Sequence, residues 1–124
     1  MAKKILVIDD EELIIRSLTK LFQRNGYEVF VAQNAREALR VNEEEEFDLI
    51  ISDVRMPGIN GVETVSGMLE ALKKKGKSML PVIFITGYAD QECEHEAKRL
   101  NPVAYIYKPF DILDLVEKVK EILR

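Results

Sequence analysis

The sequence predicts an α/β protein, with five parallel strands in one doubly wound sheet of order 2-1-3-4-5 and helices on both faces. Three observations carry that expectation. Short apolar runs of strand length recur five times, and each is followed by a segment with apolar residues at three- and four-residue spacing. The chain has 124 residues, enough for one domain, which we take as 1–124. It contains no repeat, linker or low-complexity segment. Buried strands alternating with helices imply a parallel sheet covered on both sides, and right-handed crossovers leave few orders to choose from.

The elements follow in order. "KILVID" is a continuous apolar run, as a strand buried on both faces should be. "EELIIRSLTKLFQRNG" places Ile14, Leu18, Leu21 and Phe22 on one stripe and stops at Asn25-Gly26. "YEVFVA" is the second strand. "NAREALRVNEEEE" is a helix with Asn34 as N-cap and Glu37 at the capping-box position. Its closing run, Glu43 to Glu46, reads as a solvated helix end set against the dipole. "FDLIISD" is the third strand. "GVETVSGMLEALKKKG" aligns Val62, Val65, Met68, Leu69 and Leu72, with Lys73 to Lys75 suited to a helix C-terminus. "LPVIFIT" is the fourth strand and "DQECEHEAKRLN" a short polar helix. "VAYIYK" is the fifth strand. "DILDLVEKVKEILR" closes the chain with Ile112, Leu115, Val116, Val119, Ile122 and Leu123 as its stripe.

Composition excludes several classes. With 47% hydrophobic and 32% charged residues the chain is ordinary for a globular domain. No apolar stretch approaches the length of a membrane span, and "MAKKILVIDD" is too short in its apolar part for a signal peptide. A cytoplasmic protein is expected. The lone Cys93 excludes an internal disulfide, and "CEHE" is better read as a solvated helix face than as a metal site. A net charge of −4 argues against direct nucleic-acid binding.

In the predicted order the strand C-termini converge on one edge. The first strand ends in Asp9-Asp10 and then Glu11, the third in Asp53, the fourth in Thr86, and the fifth in Lys108-Pro109. Ligands of such sheets sit in the crevice beside the first and third strands. Crowded carboxylates repel, and a hard divalent cation relieves the repulsion. Mg²⁺ takes one or two carboxylates and phosphate oxygens, so the pocket suits a phosphoryl group once the metal is bound. Lys108 would neutralise charge there, and Thr86 would donate a hydrogen bond. Asp53, exposed at its tip, would be the nucleophile. Pro57 and Gly58 would turn the following loop so that a carbonyl near Arg55 faces the metal. Each residue also has a plain reading: Asp10 as N-cap of the first helix, Asp53 as a turn former, Thr86 as an ordinary strand residue, Lys108 as a solvated lysine. Their coincidence at one edge favours the joint reading.

"VIDDEE", "DVRMPGING", "FITGY" and "YIYKPF", in this order on these strands, resemble the response-regulator receiver domain of two-component signalling. The resemblance covers the whole chain and implies the flavodoxin-like topology. It implies that Asp53 accepts a phosphoryl group from a histidine kinase or phosphotransfer protein, and that Asp9 and Asp10 organise Mg²⁺, with Asp10 the direct ligand. The Arg55 carbonyl would complete the coordination. Lys108 would pair with the phosphoryl group or Asp53, Thr86 would be the switch hydroxyl, and Tyr105 the switch aromatic. The Lys108–Pro109 peptide would be cis. The output domain or target would meet the surface of the fourth helix, fifth strand and fifth helix. The protein would be a signalling switch, catalysing only its own phosphorylation and slow dephosphorylation. Asn101 stands where the family often has glycine, and it tolerates the left-handed conformation. Competing readings fit less well. An aspartyl-nucleophile phosphatase wants a general acid at position 55 and room for a cap. A flavin or nucleotide module wants a phosphate loop where "DDEEL" stands. A degenerate receiver that only binds partners would not need the full motif set.

Overall fold

The computed structural model describes residues 2–55, 60–87 and 91–124. In chain order they form β1 (Lys4–Ile8), α1 (Glu12–Arg24), β2 (Glu28–Ala32), α2 (Ala35–Glu44), β3 (Leu49–Asp53), α3 (Gly61–Lys74), β4 (Val82–Thr86), α4 (Gln91–Lys98), β5 (Ala104–Tyr107) and α5 (Ile112–Ile122). The strands build one sheet in the order β2-β1-β3-β4-β5, every neighbouring pair parallel. This is the predicted architecture.

The pleat of each strand assigns alternate residues to opposite faces. Leu6, Ile8, Ile50, Val82 and Phe84 join one core with α2 and α3 and with Ala97 of α4. Ile5, Val7, Leu49, Ile51, Ile83 and Ile85 join the other with α1 and α5. β3 and β4 are buried throughout, whereas the edge strands β2 and β5 are half-covered. The continuous apolar runs therefore belong to strands with a neighbour on either side.

Helix phases follow the apolar stripes. In α3 all five expected residues are buried. In α5 Leu115, Val116 and Val119 are buried and the other three expected residues half-buried. In α1 Leu18 and Phe22 are buried, and Ile14 and Leu21, half-buried, pack against the same core; Ile15 is buried as well. α4 buries only Ala97. Helix ends carry the expected chemistry. Asn34 Oδ1 accepts from the Glu37 backbone N–H, and Glu37 Oε1 accepts from that of Gln33, both at 2.9 Å. Asn60 and Asp111 cap α3 and α5 in the same way; such caps are each worth about 1 kcal/mol. Gly26 leaves α1 at φ +89°, and Asn101 adopts φ +53° after α4. The acidic run set against the dipole leaves the helix partway along, as its charge leads one to expect. Only Glu43 and Glu44 are helical; Glu45 turns extended and pairs with Lys4, and Glu46 pairs with Lys77.

Candidate functional site

The alternation of β1, β3 and β5 carries the site. Asp9 lies one residue past β1 and shares the parity of Ile5 and Val7. Asp53 ends β3 with the parity of Leu49 and Ile51. Lys108 lies one residue past β5 with the parity of Ala104 and Ile106. All three therefore belong to the α1/α5 side of the sheet. Backbone bonds hold these chain ends: Asp9 N–H donates to the Ala32 carbonyl at 3.1 Å, Val54 N–H to Ile85 at 2.9 Å, and Lys108 N–H to Thr86 at 2.7 Å. The Lys108–Pro109 peptide is cis, as the resemblance implied.

The Lys108 ammonium donates to three carboxylates: Asp9 Oδ2 at 3.2 Å, Asp53 Oδ2 at 3.2 Å and Glu11 Oε1 at 2.7 Å. Asp9 is fully buried, and its other oxygen accepts from the Glu11 N–H at 2.9 Å. Asp53 is 4% exposed, more deeply set than the exposed tip expected of it. Its Oδ1 accepts a long bond, 3.3 Å, from the Arg55 N–H.

Burial pushes the Asp53 carboxyl up to about 6, and the charge of Asp9 adds to the rise. Lys108 and the Arg55 N–H oppose it. Asp9 is also raised, chiefly by burial. Burial by itself would lower Lys108, but the bond to Glu11 and the charges of Asp53 and Asp9 more than offset this and hold it above its usual value. The pocket thus keeps a firmly charged lysine between two acids that resist ionising together.

Asp10 is exposed, and no hydrogen bond or ion pair ties it to the described residues. Nor does it cap α1: the N-cap is Glu11, whose side chain makes no capping bond either. One carboxylate oxygen from each of Asp9, Asp10 and Asp53 lies within 4.8 Å of the others. Three hard anionic donors at that spacing, one with open access to solvent, fit a small divalent cation that keeps part of its water.

Thr86 is buried and has the opposite parity, on the α2/α3/α4 side with Tyr105 and Tyr107. Thr86 stands opposite Tyr107 in register, and Tyr105 opposite Phe84. The Tyr105 ring is half-buried, 6.4 Å from Phe84 and 5.5 Å from Tyr107 between centroids. The expectation for Pro57 and Gly58 falls outside the described residues.

Two residues gain a place that the sequence reading did not give them. Glu11 reaches Lys108, and its only sequence signal is adjacency to the acid pair. Gly61 opens α3 directly against the end of β3. A Cβ there would sit 1.7 Å from the Asp53 carbonyl oxygen and 2.9 Å from Ser52 Oγ. Only glycine lets the helix start so close behind Asp53.

Known proteins resemble this chain along nearly its whole length. The chain is 33% identical over 123 residues to sporulation initiation phosphotransferase F of Bacillus subtilis, covering 99% of this chain and 95% of that one. It spans about half the length of several other curated relatives. A CheY-like response regulator receiver domain protein from Methanospirillum hungatei superposes with a TM-score of 0.87 at 33% identity, over 98% of this chain and 93% of that one. A response regulator from Burkholderia pseudomallei, solved with a phosphorylated aspartic acid, calcium ion and citrate, superposes with a TM-score of 0.80 at 26% identity, over 92% and 64%. The profile of the family described as response regulator receiver domain matches residues 5–120, and this chain belongs to that family.

Proposed function

We propose that the chain is a phosphoacceptor receiver that takes a phosphoryl group onto Asp53 from the phosphohistidine of a histidine kinase or phosphotransfer protein. The observation that carries this is the placement of Asp53: at the carboxyl end of the central strand, 3.2 Å from a lysine ammonium and within 4.8 Å of two further carboxylates. A pKa of about 6 leaves Asp53 mostly ionised at neutral pH, so a nucleophile is present. The phosphorylated aspartic acid of the Burkholderia structure and the phosphotransferase name of the Bacillus relative point the same way.

In the transfer, an Asp53 carboxylate oxygen forms the new bond to phosphorus. The phosphorus–nitrogen bond of the donor breaks, and the imidazole nitrogen keeps the electron pair. Lys108 offsets the negative charge gathered on the phosphoryl oxygens. Thr86 donates its hydroxyl to one of them. Asp10, with Asp9 and Asp53 beside it and the Arg55 carbonyl, would hold Mg²⁺, which supplies further charge neutralisation when bound. Receiver domains are signalling switches, and on this reading the output leaves through α4, β5 and α5. α4 buries one residue, fewer than any other of the five helices. The protein would work in the cytoplasm, without membrane or direct nucleic-acid contact. Among the described residues no helix is long and apolar enough to cross a membrane.

With acetyl phosphate and Mg²⁺ the protein should gain one acid-stable, base-labile phosphoryl group. Asp53→Asn should abolish it, because an amide is not that nucleophile; equal labelling of the variant overturns the assignment. Thr86→Ala should still label but lose much of the response around Tyr105 when beryllofluoride stands in for the phosphoryl group. Hydrogen exchange at α4 and β5 reads the difference.

A further inference from the structure

Lys108 has three acidic partners, and its shortest contact is to the one outside the aspartate cluster. Nζ is 2.7 Å from Glu11 and 3.2 Å from both Asp9 and Asp53. An ammonium has three protons to donate, so all three are engaged. Glu11 occupies the N-cap of α1, where a short polar side chain would ordinarily bond the helix N–H groups. It makes no such bond. Its carboxylate is committed to the lysine instead, 97 residues along the chain. Both residues line a groove of about 390 Å³ between α1 and the start of α5, together with Ile14, Ser17, Pro109 and Phe110 among others.

A phosphoryl group arriving on Asp53 can take over the proton that Asp53 itself held, but it is close to dianionic and has three acceptor oxygens. For it to engage a second proton of Lys108, Asp9 or Glu11 must let go. Releasing Asp9 would strand a fully buried carboxylate, at a high desolvation cost. The Glu11 side chain is 56% exposed and returns to water at little cost. We propose that Glu11 is a positioning residue that holds Lys108 at the rim of the pocket before phosphorylation and yields it afterwards. The exchange breaks an ion pair in the lining of the α1/α5 groove, so that this face reports the state of Asp53. The inference rests on Asp53 being the acceptor.

The test uses the whole chain with Mg²⁺ and beryllofluoride, read by NMR at the amides of Ile14 and Phe110. In unliganded Glu11→Gln these signals should move toward their liganded positions. Beryllofluoride should bind roughly two- to fivefold more tightly, the range expected of a partly exposed ion pair. Glu11→Asp keeps the charge but is one methylene shorter, and it should follow Glu11→Gln. Glu12→Gln removes the neighbouring charge, which faces Arg16 rather than Lys108, and should match wild type. Wild-type behaviour of Glu11→Gln overturns the proposal. So does wild-type behaviour of Glu11→Asp, which would leave only charge acting at a distance. If wild type binds no beryllofluoride and Asp53 takes no label, the phosphoacceptor reading falls and this inference falls with it.

Discussion

At the amino-terminal end of the sheet each cation has one anion: Lys4 faces Glu45 at 3.0 Å, and Lys77 faces Glu46 at 2.6 Å, all four side chains a third or more open to solvent or close to it. At the carboxyl-terminal end a single lysine, 13% exposed, faces Asp9, Asp53 and Glu11, with Asp10 beside them. Both ends set lysines against carboxylates. The balance and the burial differ. Matched, wetted pairs contribute little and are weakened by salt. Unmatched buried acids oppose folding, and they persist where a cation or a phosphoryl group is to be bound. Charge imbalance in a buried cluster, rather than the number of ion pairs, separates the end that carries the proposed site from the other one.

The strongest way to break the comparison is to move the acid cluster bodily. Gly61→Ala places a methyl group on the Asp53 carbonyl and must displace α3 or the end of β3. We expect a loss of about 3 kcal/mol or more in urea unfolding, against the fraction of a kilocalorie usual for an exposed helix-start glycine. A small loss would mean that the two segments separate easily.

Removing charge sharpens it next. An acid whose folded pKa is raised takes up a proton on folding between its usual 3.8 and the folded value of about 6. Its effect on stability therefore worsens as pH rises through that window and is complete above it. Metal-free Asp53→Asn should be more stable than wild type at pH 7, by on the order of 1–3 kcal/mol, with the gap closing as pH falls toward 4. A gap independent of pH would remove burial of the ionised acid as the cause.

Mg²⁺ should act in the same direction by mass action. At ten times its dissociation constant it should stabilise wild type by about 1.4 kcal/mol. The gain should shrink in Asp10→Asn, and thermal melts with and without the metal measure it. The smallest effect belongs to the other end: Lys77→Ala should leave the unfolding midpoint within experimental scatter, at low salt and high. A clear shift there would mean that matched surface pairs matter more in this fold than their exposure implies.

Sequence reasoning reached the strands, their order and the four charged residues Asp9, Asp10, Asp53 and Lys108 at the crevice because short continuous apolar runs and their ends are local signals. It left open how far Leu13, Ile14 and Ile15, apolar in succession, are covered: Ile14 packs against the core half-buried, Ile15 is buried and Leu13 is exposed. Asp53 proved more buried than its position at a strand end suggested, since α3 begins immediately behind it. That closeness was not legible, because a glycine in sequence does not state what lies 1.7 Å from its missing Cβ. The reach of Glu11 to Lys108 was hidden for another reason: it depends on how the loops beyond two non-adjacent strands fall, and no local spacing encodes that.

The pleat that sends Asp9, Asp53 and Lys108 to one side of the sheet sends Thr86, Tyr105 and Tyr107 to the other. This has a consequence for descent with modification. The face that carries the acid cluster and the face that carries the two tyrosines can be altered separately, except at Thr86, whose proposed bond to the phosphoryl group ties them. Changes on well-separated sites add rather than interfere. A duplicated copy of such a chain can drift on one face without disturbing the other, provided Thr86 is kept.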